Sequence, residues 1–97
     1  MEEIAGVAPD LHVFVCVNDR HGEKESCGQT ITEEDVVAVK AWLRETGRAR
    51  NVYCTKTKCL GFCNPDGGVI AVYPEGTFIK GVRNAQDIKQ IITAREP

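Results

Sequence analysis

Four of the five cysteines in this chain fall into two pairs that could hold a metal centre. Ten residues separate Cys16 from Cys27, and three separate Cys59 from Cys63. Thiolate ligands are soft and select iron-sulfur clusters, zinc or copper(I) over metals that prefer oxygen. Four thiolates also complete the ligand set of a two-iron, two-sulfur cluster. The cysteines therefore predict a thiolate metal site, with Cys54 as an additional thiol.

The composition narrows the classes of partner. The chain has five cysteines in 97 residues, and its acidic Met1-Glu2-Glu3 start lacks the features of a secretory signal. Outside a secreted context, this many cysteines indicates metal binding or redox chemistry rather than disulfides. Twelve Lys and Arg against fourteen Asp and Glu give a formal charge of -2, which argues against nucleic acid. No apolar run reaches the ~18 residues of a membrane span. We expect a cytoplasmic protein with neither a nucleic-acid nor a membrane partner.

The first pair of cysteines is expected at the end of a strand and in the loop that follows it. Leu11 to Val17 alternates apolar side chains on one face, which predicts a strand that delivers Cys16. Asn18 to Thr30 is polar and contains glycine, so it predicts a long loop that carries Cys27. Residues 1–10 show no periodicity and are expected to form a flexible tail before a single domain over residues 11–97.

The remaining elements follow from capping and turn signals. Thr32 with Asp35 three residues on is a capping-box variant, which begins a predicted helix over about residues 33–46. Three more strands are predicted over residues 51–55, 69–73 and 77–80, with a last helix after Asn84. The first two strands should be parallel and the last two an antiparallel hairpin. This is an α/β protein with the thioredoxin-like order β-α-β-β-β-α and a mixed four-stranded sheet.

This topology brings the two cysteine pairs together, because Cys16 ends the first strand and Cys59 follows the second, parallel strand. A structural zinc site remains an alternative, although zinc ligands usually lie about two to four residues apart and the first pair does not. A thiol-disulfide oxidoreductase needs Cys-x-x-Cys at a helix N-terminus. This chain has Cys-x-x-x-Cys after a strand, which disfavours that function.

Three segments together resemble the thioredoxin-like two-iron ferredoxins: Cys16 to Cys27, Thr57 to Cys63, and the turn Val72 to Gly76. Within that family the chain is similar to the Shethna protein I type of nitrogen-fixing bacteria. The similarity extends from about Val13 to Ile92, and the spacing differs from that of plant-type and bacterial four-iron ferredoxins.

The resemblance implies a one-electron carrier, not an enzyme, that is often a homodimer and could serve redox metabolism linked to nitrogen fixation. It also implies one 2Fe-2S cluster per chain, held by Cys16, Cys27, Cys59 and Cys63. An acidic carrier further predicts redox partners with basic docking surfaces. The alternatives are a cluster-bearing module of a larger flavin- or NADH-linked redox complex and a structural zinc-binding domain.

The other residues with metal-binding or charged side chains have more ordinary expected roles. Cys54 is expected in the core, since free cysteine is among the most buried residue types. The alternative is that Cys54 can replace a neighbouring cluster ligand that has been lost. His12 and His21 are expected to be strand and surface residues rather than ligands. Four basic residues should lie near the site, in solvent or facing a partner: Arg20, Lys24, Lys56 and Lys58.

Overall fold

The computed structural model describes residues 1–17, 31–58 and 67–96. Its elements are β1 Leu11–Cys16, α1 Glu33–Glu45, β2 Val52–Thr57, β3 Gly68–Tyr73, β4 Thr77–Val82 and α2 Ala85–Arg95. A short 3-10 helix over Arg48–Arg50, which the sequence did not predict, joins α1 to β2. The thioredoxin-like order β-α-β-β-β-α is confirmed. The predicted loop over residues 18–30 lies outside the described residues.

The four strands form one mixed sheet in the order β2-β1-β3-β4. β1 pairs in parallel with β2, from Leu11 opposite Val52 to Cys16 opposite Thr57. β3 is antiparallel to both β1 and β4. The predicted parallel pair and the predicted hairpin are therefore both confirmed, and β2 extends to Thr57, two residues beyond its predicted end, because it follows β1 to its last residue.

Both helices pack on one face of the sheet. Strand alternation directs Leu11, Val13 and Val15 toward that face, where they join one buried cluster with residues of α1 and α2. The members contributed by the helices are Val36, Val39, Leu43, Ile88 and Ile92. The opposite face carries His12 and Phe14, and no helix of the described residues contributes to it.

Two capped N-termini fix where the helices begin. Thr32 and Asp35 form the predicted capping box at the start of α1, each side chain accepting from the other residue's backbone N–H. Asn84 accepts from the Asp87 N–H at 3.0 Å and begins α2. Neither helix has the length and apolar content to cross a membrane, in a search of the described residues.

Candidate metal centre

Cys16 is the last residue of β1, and its side chain is fully buried. Its Sγ lies 3.2 Å from the Lys58 carbonyl oxygen and donates the thiol proton to it. Lys58 immediately precedes Cys59 in the sequence. The described structure therefore places one predicted ligand against the peptide group that leads into another.

Two chain segments outside the described residues carry the other predicted ligands, and the described residues just before them lie side by side. Segment 18–30 contains Cys27 and follows Val17, whose N–H donates to the Thr57 carbonyl at 3.0 Å. Segment 59–66 contains Cys59 and Cys63 and begins one residue after Lys58. This arrangement follows from the parallel pairing of β1 and β2, because parallel neighbours end at the same edge of a sheet.

Described residues that follow the two segments also lie side by side. Ile31, the first described residue after segment 18–30, is fully buried against Gly68, the second described residue after segment 59–66. A Cβ on Gly68 would overlap the Ile31 side chain and lie 3.0 Å from the Val82 carbonyl oxygen. Gly67 has φ +125°, and a Cβ there would lie 3.0 Å from the Gly81 Cα. Glycine at both positions permits these close approaches.

The described residues include one of the four predicted ligands. Cys16 is at the predicted end of the sheet, whereas Cys27, Cys59 and Cys63 lie outside the described residues. Within the described residues alone, no group of three or more His, Cys, Asp or Glu side chains could hold a metal ion. A buried thiol at the shared end of β1 and β2, after which the sequence carries three more thiols, fits a soft, thiolate-bound group.

Cys54 lies away from this end and on the other side of the sheet. It is opposite Val13 in the register and belongs to the core cluster beneath the helices, with 6% of its surface exposed. Burial raises the pKa of its thiol to about 11, and nearby Lys40 only partly opposes the shift. Since metal binding requires the thiolate, both the orientation and the pKa disfavour Cys54 as a ligand. Its predicted core position is confirmed.

His12 is engaged within the sheet. Its Nε2 lies 2.8 Å from the Thr55 hydroxyl, and its ring stacks on Phe14 with centroids 4.1 Å apart. Burial lowers the pKa of the imidazole. His12 lies within the strand, four residues before Cys16. Its hydrogen bond and its stacking contact agree with the predicted structural role. His21 lies outside the described residues.

The charges around this end of the sheet are mixed. Lys56, predicted to be solvated or to face a partner, forms an ion pair of 3.3 Å with Glu33 at the first residue of α1. Lys58 is exposed, as is Glu34 beside Glu33. The ion pair places the acidic first turn of α1 at the end of the sheet where Cys16 lies. Arg20 and Lys24 lie outside the described residues.

Two parts of this arrangement were not anticipated from the sequence. One is the Lys58 carbonyl as a partner of Cys16; the other is the contact between Ile31 and Gly68. The Gly67-Gly68 pair was the available signal for the second, because adjacent glycines after a candidate ligand segment indicate close packing as well as a turn. Nothing in the local sequence identifies the carbonyl contact, since it depends on the β1-β2 register.

The chain resembles solved structures of the thioredoxin-like [2Fe-2S] ferredoxin from Aquifex aeolicus. The wild-type structure at 1.5 Å resolution has 30% identity and a TM-score of 0.74, over 89% of this chain and 84% of that one. A further structure of the same ferredoxin has 30% identity and a TM-score of 0.74, over 93% and 86%. A cysteine-to-serine variant has 29% identity and a TM-score of 0.73, over 90% and 91%. No protein-family model and no curated protein sequence matches.

The fold and the position of Cys16 define a thioredoxin-like domain with a buried thiol at one end of its sheet. At 30% identity over most of both chains, the similarity then assigns the family: the chain belongs to the thioredoxin-like [2Fe-2S] ferredoxins. The predicted family is thereby confirmed, and the predicted 2Fe-2S cofactor is confirmed as the one that the matching structures are named for.

Proposed function

We propose that this chain is a one-electron carrier with one 2Fe-2S cluster held by Cys16, Cys27, Cys59 and Cys63, in a domain over residues 11–97. The observation that supports the proposal most directly is the position of the buried Cys16 Sγ, 3.2 Å from the carbonyl oxygen of Lys58, the residue before Cys59. When Cys16 binds the cluster as a thiolate, it would give up this hydrogen bond. When bound, the cluster supplies the redox chemistry, cycling one iron between ferric and ferrous states. Membership of the ferredoxin family supports the carrier function.

The protein's own part is to bind, orient and shield the group. β1 and β2 hold Cys16 beside Lys58, the residue before the segment that contains Cys59 and Cys63. Ile31 packs against Gly68 in the parts of the chain that follow the two cysteine-carrying segments. The full burial of Cys16 keeps water from that thiol. No acid or base is required, because the transfer moves an electron and no proton.

The proposal is tested by the composition and spectra of the purified protein. We expect a red-brown protein with about two irons and two sulfides per chain, whose visible bands bleach with dithionite as a paramagnetic signal appears. Cys16→Ser should lose or shift these signals, as should the serine variants of Cys59 and Cys63. Cys54→Ala is the matched control and should keep them. A colourless protein with one zinc per chain would favour the structural zinc alternative and refute the proposal.

Electrostatics supports redox partners with basic docking surfaces. The formal charge of -2 becomes about -4 when an oxidised cluster binds and four thiols lose their protons. At the end of the sheet where Cys16 lies, Glu33 is paired with Lys56 and Lys58 is exposed, so the attraction of a basic partner would come from the net charge and from the exposed Glu34. Because attraction between surface charges is screened, the rate of reduction by a basic partner should fall as salt rises. A rate that does not change with salt would contradict this docking mode.

We also propose that the chain forms a homodimer through the sheet face opposite the helices. We call this the aromatic face; its described rings are His12, Phe14, Tyr53, Tyr73 and Phe78. Tyr73 and Phe78 are 41% and 44% exposed, and exposed aromatic surface is typical of interfaces. Sedimentation should give the mass of two chains, and Phe78→Lys should give one. A monomeric parent protein would refute the dimer.

The link to nitrogen-fixation redox metabolism stays a prediction, as does the module alternative. The free carrier and the module differ in one observable. A free carrier should elute at its own mass from a cell extract, whereas a module of a flavin- or NADH-linked complex should co-purify with a flavoprotein in stoichiometric amount.

A further inference from the structure

β2 forms one edge of the sheet and exposes backbone groups there. The Asn51 carbonyl accepts a hydrogen bond from the Leu11 N–H of β1, and the Thr57 carbonyl accepts one from Val17, the residue after β1. Alternate residues along β2 therefore direct their backbone N–H and C=O groups toward β1. The N–H and C=O groups of Val52, Cys54 and Lys56 therefore point away from the sheet. Among the described residues no strand pairs with β2 on that side. Such a row of backbone groups is a template for another strand.

The two edges of the sheet are not equivalent. β4, at the other edge, is irregular: its register with β3 shifts between Gly68 and Ile70, and Gly81 has φ +81°. Irregularities of this kind discourage strand addition. β2 keeps an unbroken register with β1 over six residues. The regular edge is therefore the one that can accept a further strand.

A groove of about 300 Å³ runs beside the β2 edge, between the strand and α1. Its lining includes the buried apolar residues Leu43 and Val52. Lys40 and Arg44, one helical turn apart on α1, line it with exposed side chains. Among the described residues, no acidic side chain lines this groove, and neither Lys40 nor Arg44 forms an ion pair. The groove thus combines buried apolar side chains with two exposed positive charges.

We propose that the β2 edge and this groove bind an extended, acidic segment of a partner protein, which adds a parallel or antiparallel strand to β2. The outward backbone groups of Val52, Cys54 and Lys56 would supply the main-chain hydrogen bonds. Acidic side chains on alternate positions of the segment would meet Lys40 and Arg44. The proposal goes beyond the electron-carrier function and does not depend on it, because none of these residues is a predicted cluster ligand.

The test uses the purified holoprotein and a fluorescein-labelled peptide of about eight alternating Glu and Thr residues, the length of a strand. A peptide of alternating Lys and Thr is the charge control. We expect fluorescence anisotropy to detect binding of the acidic peptide only, with affinity falling as salt rises. Hydrogen exchange should slow over residues 52–56 when the acidic peptide is bound. Equal binding of both peptides, or no binding of either, would overturn the proposal.

Two sets of variants separate the charge from the strand edge. Lys40→Glu with Arg44→Glu should weaken acidic-peptide binding about tenfold or more, since two attractions become repulsions. Arg83→Glu, an exposed charge reversal near the other edge, is the control and should leave binding unchanged. Loss of binding in this control to the same degree would refute a local groove.

Lys56→Pro removes one outward N–H, whereas Lys56→Ala removes the same Glu33 ion pair and keeps the N–H. Binding that is lost only in the proline variant supports strand addition, and equal binding in both refutes it. The visible spectrum of the cluster and the far-ultraviolet circular dichroism are recorded for every variant. If the parent protein lacks a cluster but binds the acidic peptide, the carrier function fails and the groove proposal stands.

Discussion

Ile31 and Gly68, which follow the two cysteine-carrying segments, are in contact. Their substitutions should therefore be energetically coupled, and a double-mutant cycle can measure that coupling. Gly68→Ala adds a methyl group where the buried Ile31 side chain already lies. Ile31→Ala removes the obstructing atoms. If the two positions meet as described, the second substitution should relieve part of the damage done by the first.

The expected magnitudes follow from packing. Gly68→Ala overpacks a fully enclosed position and should lower the free energy of unfolding by about 1–3 kcal/mol. Ile31→Ala leaves a cavity in place of a side chain that has no exposed surface, which should cost about 2–5 kcal/mol. In the double variant the new methyl group occupies part of that cavity. The total loss should therefore be smaller than the sum of the single losses by about 1–2 kcal/mol.

The measurement is urea unfolding of all four proteins, followed by far-ultraviolet circular dichroism, with the visible absorption recorded alongside. The new methyl carbon at residue 68 would also lie 3.0 Å from the Val82 carbonyl oxygen, so relief should be partial rather than complete. Losses that simply add would show that Ile31 and Gly68 do not pack against each other.

Three further predictions test other parts of the structure. Thr32→Ala should lower the free energy of unfolding by about 1 kcal/mol, because it removes the α1 cap; Thr93→Ala, in an exposed part of α2, should cost less in the same urea titration. Burial lowers the pKa of His12, so the unfolded chain binds more protons and stability should fall as pH drops below about 6.5; thermal melts of His12→Gln should show a weaker pH dependence. The pKa of Cys54 rises from 9.0 to about 11, so its thiolate fraction at neutral pH falls about hundredfold; iodoacetamide should label Cys54 in the native holoprotein far more slowly than in urea, and rapid native labelling would contradict its burial.

Local patterns were sufficient for most of the fold. The alternation of Leu11, Val13 and Val15 indicated which face of β1 is buried, and the Thr32-Asp35 pair indicated where α1 begins. Both signals act within a few residues, so they can be interpreted without the tertiary structure. Local patterns do not settle every position: Trp42, a large apolar residue next to the buried Leu43, is only half-buried, with the Arg48 guanidinium 4.5 Å from its ring centroid.

The candidate site was predictable in its residue types but not in its contacts. The spacing of the cysteines suggested four thiolate ligands, and the parallel order of the first two strands suggested that they converge. The contacts that hold this end together join residues far apart in the chain: Cys16 with Lys58, and Ile31 with Gly68. Each depends on strand register and side-chain packing, which no short sequence pattern encodes.

The two described cysteines show how register can separate a predicted ligand from a bystander of the same residue type. Cys16 lies opposite Thr57, at the last paired position of β1 and β2, where the chain leaves the sheet. Cys54 lies opposite Val13, three positions earlier and on the face covered by the helices. A residue that is displaced by an odd number of positions faces the other side of a sheet. Cys54 could therefore replace a lost ligand only if β2 shifted its register by one residue, which would also move Val52 out of the core and expose it.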